Sequence, residues 1–227
     1  MVIRQRAMQA EDKQERRDAI LDAAEQLLLD APDHMASVAE VAEEAGLAKG
    51  TVYLYFPGKD ELLLAVHERA IDGFFRAVDA RLAKPATIAV DEMLDLTRRH
   101  LVEPPLFLPL AWRCFGLMAQ GLPAAAAVGF KQRMGERLAR AGAGLERHFA
   151  QLPPGGGVAL LRRSYALIMG LWMMSGSTPD GGACALATGS AGAGLPPIVV
   201  EPYPVELDRA LRALWQGSLG PRAATES

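Results

Sequence analysis

Residues 37–56 read SVAEVAEEAGLAKGTVYLYF, and this stretch decides the fold. Ser37-Val38-Ala39-Glu40 is a capping-box pattern. The serine hydroxyl accepts from a free backbone N–H of the first helical turn, and Glu40 reaches back to the Ser37 N–H. Val38, Val41, Ala42 and Ala45 then recur at helical spacing as one apolar stripe. Gly46 follows where a helix ends and a positive φ is wanted. After a short turn, Ala48–Phe56 resumes as a second compact helix, and Pro57-Gly58 breaks it. Two short helices about a glycine turn form a helix-turn-helix unit. Val41, Leu47 and Val52 fill the small core between them, and Ala42 is small where they approach. The second helix is left with Lys49, Thr51, Tyr53 and Tyr55 facing outward, and Lys59 opens the next helix.

Working outward, Arg16–Asp30 has Ile20, Ala24, Leu27 and Leu28 on one face, and Pro32-Asp33 end that helix. Residues 1–15 are polar, carry Arg4, Arg6 and Lys13, and read as a mobile arm. Downstream, a long helix over Lys59–Leu82 places Leu63, Val66, Ala70, Phe74, Val78 and Leu82 on one face, and Pro85 stops it. Further helices are expected over Thr87–Val102, Pro105–Gln120 (with Pro109 delaying or kinking its start), Ala124–Ala150, Val158–Ser175 and Val205–Gln216. Gly129, Gly135, Gly142 and Gly144 weaken the third of these. A Gly/Ala/Ser/Pro-rich loop is expected over 176–204, with Pro196–Val200 as an extended segment inside it. The expected fold is all-α, about nine helices, divided into residues 1–60 and 61–227.

The chain has 227 residues, half of them hydrophobic but only 6% aromatic, which favours helices packed on helices. Its net charge of −3 excludes a protein that coats nucleic acid through overall basicity. Residues 1–60 hold seven Lys/Arg against twelve Asp/Glu, so any contact with a polyanion depends on where the charges sit. Cys114 and Cys184 belong to no metal-ligand or CxxC pattern and read as reduced thiols. Met1–Met8 lacks the apolar core of a leader peptide, and Ala166–Met174 is well short of the ~20 residues of a membrane span. A cytoplasmic protein without a membrane role is expected. His34, His67, His100 and His148 are scattered, there is no GxSxG or phosphate loop, and Gly155–Gly157 follows Pro-Pro rather than a strand. Neither metal, cofactor nor catalytic activity is expected.

The outward residues of the second helix suit a DNA major groove. Lysine reaches a phosphate or a guanine edge, a threonine methyl touches thymine, and tyrosine hydroxyls donate to phosphate oxygens. The run Thr51-Val52-Tyr53-Leu54-Tyr55-Phe56-Pro57-Gly58-Lys59-Asp60-Glu61-Leu62-Leu63 resembles the end of the DNA-binding domain of TetR-family regulators, and Ser37–Gly50 matches upstream. The resemblance covers residues 16–65 closely. It implies phosphate contacts from Ser37, Thr51, Tyr53, Tyr55 and Lys59, and base-edge contact from Lys49, Gly50 or Thr51. Ala48 departs from the pattern, where Ser or Thr is frequent, and forgoes a helix cap of ~1 kcal/mol.

For the second part, the resemblance implies a small effector and a homodimer on a pseudopalindromic double-stranded operator. Phe107, Trp112, Phe115, Met118, Phe130, Met134, Met169 and Met173 offer an apolar lining for an apolar or amphipathic effector, with His100 and Arg113 as polar candidates. Tyr165, Ile168 and Trp172 in one helix, and Leu207, Leu211, Leu214 and Trp215 in another, recur at helical spacing and would suit a four-helix dimer interface or an intrachain core. A ligand-released repressor is the expected function. An activator or ligand-independent regulator, a helical enzyme and a protein-interaction module are the alternatives.

Overall fold

The computed structural model describes residues 2–31, 34, 36–175 and 202–220. These form nine α-helices: α1 (Val2–Asp30), α2 (Val38–Glu44), α3 (Lys49–Tyr55), α4 (Lys59–Leu82), α5 (Val90–Thr97), α6 (Phe107–Gln120), α7 (Ala124–His148), α8 (Gly156–Met174) and α9 (Tyr203–Leu219). After Thr97, α5 runs on as a π-helical turn over Arg98–Val102. Pro32, Asp33 and most of the 176–204 loop, with Cys184 and Pro196–Val200, lie outside the described residues.

Two departures from expectation have local causes. The residues expected as an arm are drawn into α1, which begins at Val2 rather than near Arg16. Residues 2–30 contain neither Gly nor Pro and are rich in Ala, Gln, Glu, Lys and Arg, so nothing breaks the helix. Pro109 does not delay α6, because it occupies the third helical position, where no intrahelical partner awaits its missing N–H.

Two buried clusters divide the apolar side chains. The first gathers Ile20, Leu21, Ala24 and Leu28 of α1, Val38 and Val41 of α2, Val52 of α3, and Leu62, Leu63 and Val66 of α4, and is closed by Leu106 and Leu110. The second joins Phe74, Phe75 and Val78 of α4 to Met93, Phe107, Cys114, Leu145, Leu160, Ile168, Leu211 and Trp215. Helix α4 contributes to both, so it is the mechanical link between them. Gly142 and Gly144 of α7 and Gly157 of α8 are packing devices. A Cβ on Gly142 would lie 2.6 Å from Val158 Cγ2 and 2.7 Å from the Val158 nitrogen, and one on Gly157 would strike the Gly142 carbonyl oxygen. These bare backbones let α7 and α8 cross closely.

Candidate nucleic-acid interface and the cavity behind it

The interface is built from its caps upward. Ser37 Oγ accepts from the Glu40 N–H at 3.3 Å, and the Ser37 N–H donates to Glu40 Oε2 at 2.7 Å, which completes the capping box. Those hydrogen bonds, with His34 Nε2 at 2.8 Å from Glu40 Oε1, hold the Glu40 carboxyl down at about 2. Gly46 takes φ +64, and the Leu47 N–H returns to the Ala42 carbonyl at 2.8 Å. No neighbour crowds Gly46, so the left-handed backbone alone demands glycine there. Ala48 occupies the N-cap of α3 in extended conformation without a side-chain cap.

Val52 is fully buried and Phe56 nearly so, each worth ~1.5–3 kcal/mol of burial. This anchor fixes the rotation of α3. Lys49, Gly50 and Tyr53 are exposed, whereas Thr51 is half-buried and Tyr55 packs its ring partly against the core. Lys49 Nζ lies 5.9 Å from the Tyr53 ring centroid, a cation–π contact that holds both on the outer face. Lys59 is exposed on the first turn of α4. Ser37 is exposed as well, so all seven residues expected at a DNA contact retain surface. Arg17 of α1 stacks over Phe56 at 5.3 Å. The sequence reading missed Leu54, which is 83% exposed. Its signal was present: two residues from Val52 is 200° around a helix, opposite the buried anchor.

Behind this unit, an apolar cavity of about 250 Å³ lies among α4, α5, α6, α7, α8 and α9. Of the residues named for an apolar lining, Phe107, Phe115, Met118, Phe130 and Met134 border it. Trp112, Met169 and Met173 do not: they pack in or against the surrounding core, while Ile168 and Tyr165 present the neighbouring face of α8 to the cavity. His100 and Arg113 do not line it either. The polar groups that do are His67, Thr97, Arg162, Ser164 and Tyr165. His67 was missed by sequence, although it stands four residues from both Leu63 and Ile71 and so on the buried side of α4.

The residues expected at a subunit interface are turned inward. Ile168, Trp172, Leu207, Leu211 and Trp215 are each 5% exposed or less within one chain, Tyr165 lines the cavity, and Leu214 packs against the core. A stripe can be buried only once, and here α8 and α9 spend it on each other and on α7. Trp215 Nε1 donates to Ser164 Oγ at 3.0 Å, which seals the contact.

Ion pairs tie α4 to its neighbours on both sides. Arg69 pairs with Asp22 and Glu25 of α1. Glu68 accepts from Arg133 at 2.6 Å and Arg137 at 2.9 Å on α7. Burial pushes the Glu68 carboxyl up, but these arginines outweigh it and leave it below its ordinary value. Among the described residues no group of side chains could hold a metal ion, and no helix is long and apolar enough to cross a membrane.

Comparison with known proteins covers both parts of the chain. Residues 20–66 match the family model described as "Bacterial regulatory proteins, tetR family", and residues 68–219 match "Tetracyclin repressor-like, C-terminal domain". The chain is 29% identical over 81 residues to the fatty acid metabolism regulator protein of Bacillus subtilis, covering 36% of this chain and 41% of that one. It is 38% identical over 66 residues to the HTH-type transcriptional activator FasR of Mycolicibacterium smegmatis, covering 29% of this chain and 30% of that one. Those matches span less than half of either relative's length. A solved structure of SmeT, the repressor of a Stenotrophomonas maltophilia multidrug efflux pump, aligns at TM-score 0.45 and 22% identity, covering 82% of this chain and 96% of that one.

Proposed function

From the premise that this chain belongs to the TetR family of bacterial transcriptional regulators, we propose that it is a dimeric repressor released from its operator when an apolar effector fills the α4–α9 cavity. The observation that carries this reading is the outward face of α3. With Val52 and Phe56 buried, Lys49, Gly50, Tyr53 and Leu54 are the parts of that helix exposed to a duplex. Lys49 and Thr51 read base edges or phosphates, the tyrosines and Lys59 hold the backbone, and Ser37 caps α2 against a phosphate. Residues 1–60 serve as the DNA-reading part and 61–227 as the sensing and dimerising part. Helix α4 couples them, since it lines the cavity and is pinned by Arg69 to α1. Because the expected apolar stripe is used inside the chain, we assign the subunit contact to the outer faces of α8, with Arg163, Ala166, Gly170 and Met174, and of α9, with Val205, Ala213 and Gln216. No catalytic step is required, and the site of action is the cytoplasm.

Selection of bound duplexes from a random pool tests the reading. A two-fold symmetric consensus with half-sites one helical turn or a multiple apart is the expected result. An unenriched pool would overturn it. A reporter under the selected operator gives the sign of control: a repressor lowers expression, and an activator raises it.

A further inference from the structure

The cavity wall is apolar except at a few groups, and most of those are already engaged. Thr97 Oγ1 donates to the Met93 carbonyl at 2.9 Å. Ser164 Oγ donates to the Leu160 carbonyl at 2.9 Å and accepts from Trp215. Cys114 Sγ lies 3.9 Å from the Leu63 carbonyl, and burial pushes that thiol up to about 12. Arg162 is exposed, and Tyr165 is only half-buried, its hydroxyl pushed up to about 12 by burial. His67 differs from all of these. It is 3% exposed, its ring lies 5.2 Å from that of Phe107, and Nδ1 is a buried side-chain polar atom with no hydrogen-bond partner in the chain. Among the described residues it is the one such atom.

An unpaired buried polar atom costs on the order of 1–3 kcal/mol, so a group that pairs with it on binding recovers a hydrogen bond. We propose that the His67 imidazole is the polar anchor of the cavity, and that it selects an uncharged, largely apolar ligand bearing one hydroxyl or carbonyl. Burial pushes the imidazole down to about 4, so it is neutral near pH 7, and its tautomer can donate to a carbonyl or accept from a hydroxyl. Arg162, the one arginine among the lining residues, is exposed, and Glu68, whose charge reaches His67, is already paired with Arg133 and Arg137, so a carboxylate or ammonium brought to His67 meets no uncommitted buried counter-charge, which desolvation disfavours. The proposal rests on the cavity being the effector site. It adds the chemistry of the effector's head group and its point of attachment on α4.

Three probes of similar shape separate the possibilities: naphthalene, 2-naphthol and 2-naphthoate. A cavity of ~150 Å³ takes benzene, so about 250 Å³ has room for two fused rings. Calorimetry or ligand fluorescence near pH 7 on the full chain should show 2-naphthol binding about three- to tenfold tighter than naphthalene, the factor expected of one neutral hydrogen bond. The ionised 2-naphthoate should be the weakest of the three. In His67→Leu the naphthol advantage should collapse to about one while naphthalene still binds. Equal binding of naphthol and naphthalene to the unmodified protein would overturn the anchor and leave the cavity as an effector site. So would an advantage unchanged in His67→Leu, or naphthoate binding as tightly as naphthol. Failure of all three probes to bind would overturn both the anchor and the effector reading. The probe order in the unmodified protein keeps the proposal falsifiable if the variant does not fold.

Discussion

Lys59 and His67 stand eight residues apart on one helix and show how differently a charge and a buried ring report on function. Lys59 is exposed and pre-positioned by the Pro57-Gly58 break, so its proposed work is a phosphate contact. Lys59→Ala should weaken DNA binding across all operator variants and reduce the slope of log affinity against log salt by ~0.9, read from binding titrations at several salt concentrations. An unchanged slope would remove Lys59 from the interface. His67 reports through stability instead. Desolvation lowers its folded-state value from 6.5 to about 4, with Glu68 opposing. Between those values the unfolded chain binds a proton that the folded chain does not, so stability falls as pH drops from 6.5 through about 4. Urea midpoints should show the native chain losing on the order of 2 kcal/mol more than His67→Leu between about pH 7.5 and about pH 5. Lysine and tyrosine on the outer face of α3 were legible in the sequence, because a short helix with two buried anchors leaves its remaining faces outside. Leu54 and His67 were passed over because each is an apolar or polar residue of ordinary type. Helical spacing placed Leu54 opposite Val52 and His67 between Leu63 and Ile71, but the structure alone gives how far each is exposed or enclosed.

At the scale of helices, α7 was expected over Ala124–Ala150 with its glycines counted against it, and the close crossing of α7 with α8 and its approach to α4 give two of those glycines their reason. Gly142 and Gly144 counted against a helix by propensity, yet α7 runs unbroken from Ala124 to His148. Gly142 sits where Val158 presses, and Gly144 faces Leu82 of α4, with Leu82 Cδ1 only 2.8 Å from where a Cβ would be. Tertiary contact therefore repays what propensity loses. Gly157→Ala should destabilise by about 2–4 kcal/mol in urea or thermal unfolding, since its methyl meets backbone that cannot turn aside. Gly135→Ala, in the same helix but with open space at the Cβ position, should stabilise by about 0.5–1 kcal/mol. If both changes behaved alike, the crossing would not be the reason for these glycines. The same packing explains the inward stripe of α8 and α9. Spacing showed which residues share a face but not which partner would cover it.

For the whole molecule, a net charge of −3 means that the proposed operator binding would rest on two small faces held at a fixed separation. Gly170 lies on the outer side of α8 with open space around it. Gly170→Arg should leave the fold and its helical content intact, shift sedimentation from dimer to monomer, and abolish binding to a two-half-site operator. A variant that stays dimeric would move the subunit contact away from α8. The sequence alone determined the order of the helices, most of their ends (the start of α1 apart) and the identity of the helix-turn-helix unit. Those depend on caps, breakers and a 3.6-residue period, all local in the chain. The tertiary structure decided which apolar face meets which, where a cavity remains and which polar atom is enclosed without a partner. These depend on contacts between residues distant in sequence, and periodicity carries no information about the partner of a face.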